Sequence, residues 1–128
     1  MKLIRGGAGF TLIELLVVIA IVGILVAIAI PQMAAYRRRG IDGQVRYDVK
    51  NAAIAQEAYF ADMKTYAGSI MELAGERGFR QSANVNIVVN GTSGGFVVTA
   101  TAISGCSSGT GTWSVNSSGG QIVGTACD

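Results

Sequence analysis

The 128-residue chain contains no histidine. That absence removes the side chain most often used as a general base and metal ligand near neutral pH. Acids are scarce where an active site would be sought: after Glu76 the only acidic side chain is Asp128. That is too little for a calcium loop, or for a nucleophile, its base and an orienting group. No catalytic residue, no metal site and no cofactor is expected. Charged residues make up only 14% of the chain, and setting aside Lys2 and Arg5 leaves 8 basic against 8 acidic side chains. A balance so close to neutral exerts no strong electrostatic pull on nucleic acid. Proline occurs once, at Pro31, and cysteine twice, at Cys106 and Cys127. The glycine-rich run Gly6-Gly7-Ala8-Gly9 lacks a following Lys-Ser/Thr, so no phosphate-cradling loop is expected there.

Against these absences stands one long hydrophobic run. Residues 15–30 contain no charged and no hydrogen-bonding side chain, and a single carboxylate, Glu14, stands directly before them. As one helix, residues 10–35 rise roughly 39 Å at about 1.5 Å per residue, enough to cross a hydrocarbon core that needs about 20 residues. One membrane span is expected. An ionised glutamate at the centre of such a span costs on the order of 3 kcal/mol, and less near its end, so Glu14 should find a partner. No basic side chain lies within one helical turn of it. A cut between Gly9 and Phe10 would create an α-amino group with a reference pKa of about 7.7–8.0, a cation for Glu14 in the same or a neighbouring copy.

The stretch Lys2-Leu3-Ile4-Arg5-Gly6-Gly7-Ala8-Gly9-Phe10-Thr11-Leu12-Ile13-Glu14-Leu15 resembles the class III leader and cleavage site of type IV pilins and of the related type II secretion pseudopilins. The resemblance covers the residues up to about 40; beyond them only the layout agrees. It implies that a membrane-embedded aspartyl peptidase removes residues 1–9, cutting after Gly9, and then N-methylates Phe10. It implies that Glu14 pairs with the terminal amine of an adjacent subunit during assembly. Gly23 and Pro31 fall where the family has a glycine and a proline bounding a helix segment able to melt in the filament. The implied partners are further copies in a helical filament, the prepilin peptidase/N-methyltransferase, the assembly machinery in the inner membrane, and the membrane itself before assembly. The implied location is a single-pass protein of the inner membrane, then an extracellular pilus on the cell surface.

The helical signal continues past the apolar run. Ile41, Val45, Val49, Ala52, Ala53, Gln56, Tyr59 and Phe60 recur at three- to four-residue spacing, with Asp42, Arg46, Asp48, Lys50 and Glu57 on the remaining faces. One helix over residues 10–62 is expected, its first half (10–35) apolar all round and its second (36–62) amphipathic. Pro31 removes an amide and crowds the preceding turn, at about 3 kcal/mol in an ideal interior, which makes it a kink or a hinge. Residues 63–81 read as a connecting loop with a short helix over 69–74. Strands are expected at 85–89, 96–103, 112–115 and 121–123, with Asn90-Gly91 opening the first connection and Ser117-Ser118-Gly119-Gly120 making the last. Phe96, Val98, Ala100 and Ala102 share one strand face and should pack on Val45, Val49, Ala52 and Tyr59. The fold class is α+β: a long N-terminal helix against a small antiparallel sheet, residues 63–128 forming loop and head. The Gly, Ser and Thr of residues 104–120 read as a surface segment, either flexible or in contact with neighbouring subunits. In a domain exported past a membrane, Cys106 and Cys127 are expected to form a disulfide closing a loop of about twenty residues, worth roughly 3 kcal/mol; a reduced pair is the alternative.

Arg37-Arg38-Arg39 would sit where the helix leaves the membrane, as a solvated collar, a grip on anionic lipid heads, a partner for acids of another subunit, or a DNA contact. These arginines nearly cancel Lys2 and Arg5 in the positive-inside count, so the cytoplasmic leader rests on the cleavage motif. The leading function is the major pilin of a type IV pilus, for adhesion, twitching motility or DNA uptake. A pseudopilin of a type II secretion system is the close alternative, and the cysteine pair favours the pilus. A third reading takes residues 15–26 as the core of an ordinary signal peptide cut near Ala27-Ile28-Ala29, releasing a soluble domain. Glu14 within the apolar approach and the helix continuing past Pro31 oppose it.

Overall fold

The computed structural model describes residues 9–75 and 78–128. Residues 1–8 of the expected leader, 1–9, therefore lie outside the described residues. The chain divides into two compact units, Met1–Ala35 and Tyr36–Asp128. Helix α1, Leu12–Met63, supplies the described helix of the first unit and the first element of the second. After it come α2 (Ile70–Ala74), β1 (Val85–Thr92), β2 (Gly95–Ala102), β3 (Thr112–Asn116) and β4 (Val123–Thr125). The four strands form one sheet in the order β1-β2-β3-β4, every neighbouring pair antiparallel. A long helix packed with a four-stranded antiparallel sheet is the α+β class that the pattern predicts.

The core of the second unit follows from two periodicities. On α1, Val45, Asp48, Val49, Ala52, Ala55 and Gln56 are buried, a stripe at three- to four-residue spacing. On the strands alternate residues turn inward: Val85, Ile87 and Val89 on β1, Phe96, Val98 and Ala100 on β2, Trp113 and Val115 on β3. Register aligns them in rows across the sheet, Ile87 opposite Ala100 opposite Trp113, and Val89 opposite Val98 opposite Val115. Small Ala100 between the larger Ile87 and Trp113 leaves room for the indole. Leu73 of α2 and Phe79 also belong to the core. Helix α1 stops where Lys64 takes the left-handed conformation (φ 59°), its N–H bonded to the Phe60 carbonyl at 2.9 Å.

Three expectations are corrected. Asn90 and Gly91 are not a turn: β1 continues to Thr92, and the hairpin turns at Ser93-Gly94. Glycine is required at 91 for another reason. The backbone of the connecting loop passes over it, with Tyr66 N–H bonded to the Thr92 carbonyl, and a Cβ at 91 would run into the carbonyl of Ala67. The last strand is shifted to Val123–Thr125, because the turn after β3 is drawn tight by Asn116, whose carbonyl accepts Gly120 N–H and whose Oδ1 accepts Gly119 N–H. Ile122 then packs against the core from outside the strand. Asp48, placed by the pattern on a polar face, is buried (1% exposed). Within residues 104–120, β3 falls where a strand is expected, and its Trp113 and Val115 are core residues.

Candidate assembly and anchoring site

In the first unit, Gly9 and Phe10 precede the helix, and the Phe10 side chain is 90% exposed. The helix begins with a reciprocal cap. Thr11 N–H and Thr11 Oγ1 donate to Glu14 Oε2 at 2.8 and 2.7 Å, and Glu14 N–H donates to Thr11 Oγ1 at 3.3 Å. Thr11-Leu12-Ile13-Glu14 is the Ser/Thr-x-x-Glu pattern in which N-cap and third helical residue satisfy each other's orphan amides. The carboxylate also sits at the positive end of the helix dipole. Glu14 thus has neutral donors from its own turn, a partner the sequence pattern offered but that a search for a cation passes over.

Behind this cap the helix presents apolar side chains on every side. Leu12, Leu15, Ile24, Leu25, Ile28 and Ile30 are all at least 61% exposed. Contiguous apolar surface on this scale is matched by a lipid interior or by other apolar helices. The helix runs unbroken through Gly23 and Pro31. Apart from the helix's own adjacent backbone, no atom of the described residues lies within 4 Å of where a Cβ at Gly23 would stand, so no contact among the described residues explains glycine there.

In the second unit three polar side chains of α1 tie the head down. Asp42 Oδ1 accepts Trp113 Nε1–H at 2.6 Å and Cys127 N–H at 3.3 Å, while the Arg46 guanidinium lies 3.8 Å from the centroid of the same indole. Asp48 accepts Ser82 N–H at 2.8 Å and Ser82 Oγ–H at 3.0 Å. Gln56 binds the backbone of Ala67 on both its groups. Each is a charged or amide group paired with donors or acceptors the connecting segments would otherwise leave unmet. Cys106 and Cys127 are joined, their Cα atoms 5.0 Å apart across 21 positions of sequence. Ser107 N–H bonded to the Asp128 carbonyl at 2.8 Å runs beside the bridge. Of the residues singled out in the sequence, the fold brings these two cysteines together, whereas Gly9, Phe10, Glu14, Gly23 and Pro31 are spread along one strand of chain. Asp42, Asp48 and Trp113 as head anchors were missed; for Asp48 the signal was its position, three after Val45 and four before Ala52.

Tyr66 lies on the connecting loop between α1 and the sheet. Its ring stacks on Phe60 with centroids 4.5 Å apart and meets Phe96 at 5.0 Å. Desolvation pushes its phenol above the usual tyrosine range, and the Glu57 carboxylate, 3.5 Å from the hydroxyl, adds to the effect.

Comparison with known proteins bears on the amino-terminal segment most directly. The family described as "Prokaryotic N-terminal methylation motif" matches residues 4–30. The chain is 39% identical over 80 residues to the type IV major pilin protein PilA of Myxococcus xanthus, covering 61% of this chain and 36% of that protein. It is 45% identical over 65 residues to the type IV wide pilus major component PilA4 of Thermus thermophilus, 51% of this chain and 50% of that one. The type IV major fimbrial protein FimA of Dichelobacter nodosus is 36% identical over 95 residues, 70% of this chain and 59% of that protein. The chain thus spans between 36% and 59% of the length of these relatives. With the methylation motif leading into a long apolar helix and an antiparallel sheet beyond it, the chain is similar to type IV pilins, most directly over its amino-terminal segment.

Proposed function

We propose that this chain is a structural subunit, the major pilin, of a type IV pilus, polymerising through residues 10–35 into a surface filament. The observation that carries the reading is the methylation motif over residues 4–30 running into a helix whose apolar side chains have no cover among the described residues. Prepilin peptidase would cut after Gly9 and methylate Phe10, residues 1–9 being the leader. The subunit would wait in the inner membrane as a single-pass protein, with residues 63–128 outside it as the head. Extraction by the assembly machinery would then bundle the apolar helices of many copies in the filament core. Apolar burial at about 25 cal/mol per Å² supplies the cohesion.

Glu14 sets axial register in this account. Oε2 is held by two donors from Thr11. The remaining oxygen would receive the methylated amine of an adjacent copy, and a mis-registered subunit would leave a charge unpaired in an apolar core. Gly23 and Pro31 would bound the part of the helix that melts in the filament. The disulfide and the relatives' names favour the pilus over the shorter filament of a secretion system.

Intact mass and N-terminal sequencing of the protein recovered from cells test the reading. A chain starting at Phe10 and carrying one added methyl group is expected. A chain still starting at Met1, or one starting at Ile30, would overturn it.

A further inference from the structure

We propose that Arg37, Arg38 and Arg39, with Tyr36 beside them, form a collar that binds the phosphates of anionic phospholipids where the apolar segment emerges from the bilayer. The inference rests on the membrane-anchored state in the proposed function. The helical residues 12–35 rise about 36 Å, against roughly 30 Å for the hydrocarbon core, so the residues that follow fall in the headgroup layer. Tyr36, 62% exposed, is of the type enriched at that depth. The Arg39 guanidinium lies 5.8 Å from the Tyr36 ring centroid.

Among the described residues no hydrogen bond or ion pair engages Arg37 or Arg38. The acids that follow on the same helix are committed elsewhere, Asp42 to Trp113 and Cys127, Asp48 to Ser82. Spacing separates a lipid partner from an acidic face of a second copy. Consecutive helical residues step by about 100°, so three arginines in a row sweep about 200° of the circumference. A single neighbouring helix would be met by charges three or four apart, whereas lipids surround the helix and can occupy every direction. Guanidinium forks also match phosphate oxygens two at a time.

The full-length chain, dilute in phosphatidylcholine vesicles with a trace of spin-labelled phosphatidylglycerol or phosphatidylcholine, reports the lipids it immobilises by electron paramagnetic resonance. Phosphatidylglycerol should be restricted about three- to tenfold more strongly than phosphatidylcholine at low salt. The two should approach parity near 1 M salt, where the screening length is about 3 Å. Arg37→Gln/Arg38→Gln/Arg39→Gln should lose most of the preference and Lys2→Gln/Arg5→Gln should retain it. Parity in the unaltered chain, or a preference the triple variant keeps, overturns the collar. So does salt-sensitive self-association that the triple variant abolishes without any lipid preference, which would assign the arginines to a second copy. A chain that washes off the vesicles at alkaline pH defeats the membrane-anchored reading, and the collar with it; one that stays embedded at parity defeats the collar alone.

Discussion

Gln56 holds both backbone groups of Ala67: its Nε2–H donates to the Ala67 carbonyl at 2.8 Å, and Ala67 N–H donates to its Oε1 at 2.8 Å. Both residues are fully buried. One amide side chain therefore does for the connecting loop what a strand partner would do, and sets where that loop crosses β1 at Gly91. Gln56→Leu, similar in volume, should cost about 2–4 kcal/mol, since it strands a buried N–H and a buried carbonyl. Denaturant titration measures the loss, and hydrogen exchange at the Ala67 amide should accelerate.

Asp42 joins the helix to both the indole of Trp113 and the backbone beside the disulfide. Asp42→Ala should cost about 1–2 kcal/mol, the site being half exposed, and shift the emission of the single tryptophan. Asp42→Asn keeps an acceptor oxygen and should retain most of the stability and the emission. Equal effects from both variants would show that the carboxylate charge, not the acceptor, is what matters.

The raised pKa of Tyr66 gives a pH dependence of known sign. The folded chain holds the phenolic proton more tightly than the unfolded one. Its contribution is fully present below the ordinary tyrosine value of about 10 and is lost as pH rises from there through the raised folded value. Thermal midpoints measured between about pH 9 and 12 should fall more steeply for the native chain than for Tyr66→Phe, which keeps the stacking on Phe60 but has no proton to lose.

The bridge between Cys106 and Cys127 closes a loop of 21 positions. Opening it by Cys106→Ser/Cys127→Ser should cost about 3 kcal/mol by the chain-entropy relation, and lower the midpoint by on the order of 10–20 °C for a head of this size. The unaltered chain melted with and without reductant should show the same difference.

Under the proposed function, Glu14→Ala should still insert and be cut after Gly9, because neither step uses the carboxylate, yet give few or no filaments by electron microscopy. Gly9→Leu should leave an uncut, membrane-held precursor. Normal filaments from Glu14→Ala, or a mature-sized product from Gly9→Leu, would remove the assigned roles.

Much of this protein is written in its linear pattern. The unbroken apolar run before Pro31, the helical stripe through Val45, Val49 and Ala52, and the alternation of Phe96, Val98 and Ala100 each express burial on a fixed period, and period is a local property of sequence. The Thr11 to Glu14 cap is equally local, being closed within one turn. What the tertiary structure alone decided depends on which distant segments meet. Asn90-Gly91 has turn chemistry, but the approach of the Ala67 backbone makes Gly91 a strand residue and moves the turn to Ser93-Gly94. Asp48 is polar, yet the Ser82 backbone and hydroxyl supply the donors that let it be buried. Asp42 finds Trp113 across 71 positions of sequence, and Gln56 finds Ala67 across 11. A hydrogen-bonding group's tolerance for burial is set by the partner that arrives from elsewhere in the chain, and no window of sequence contains that partner.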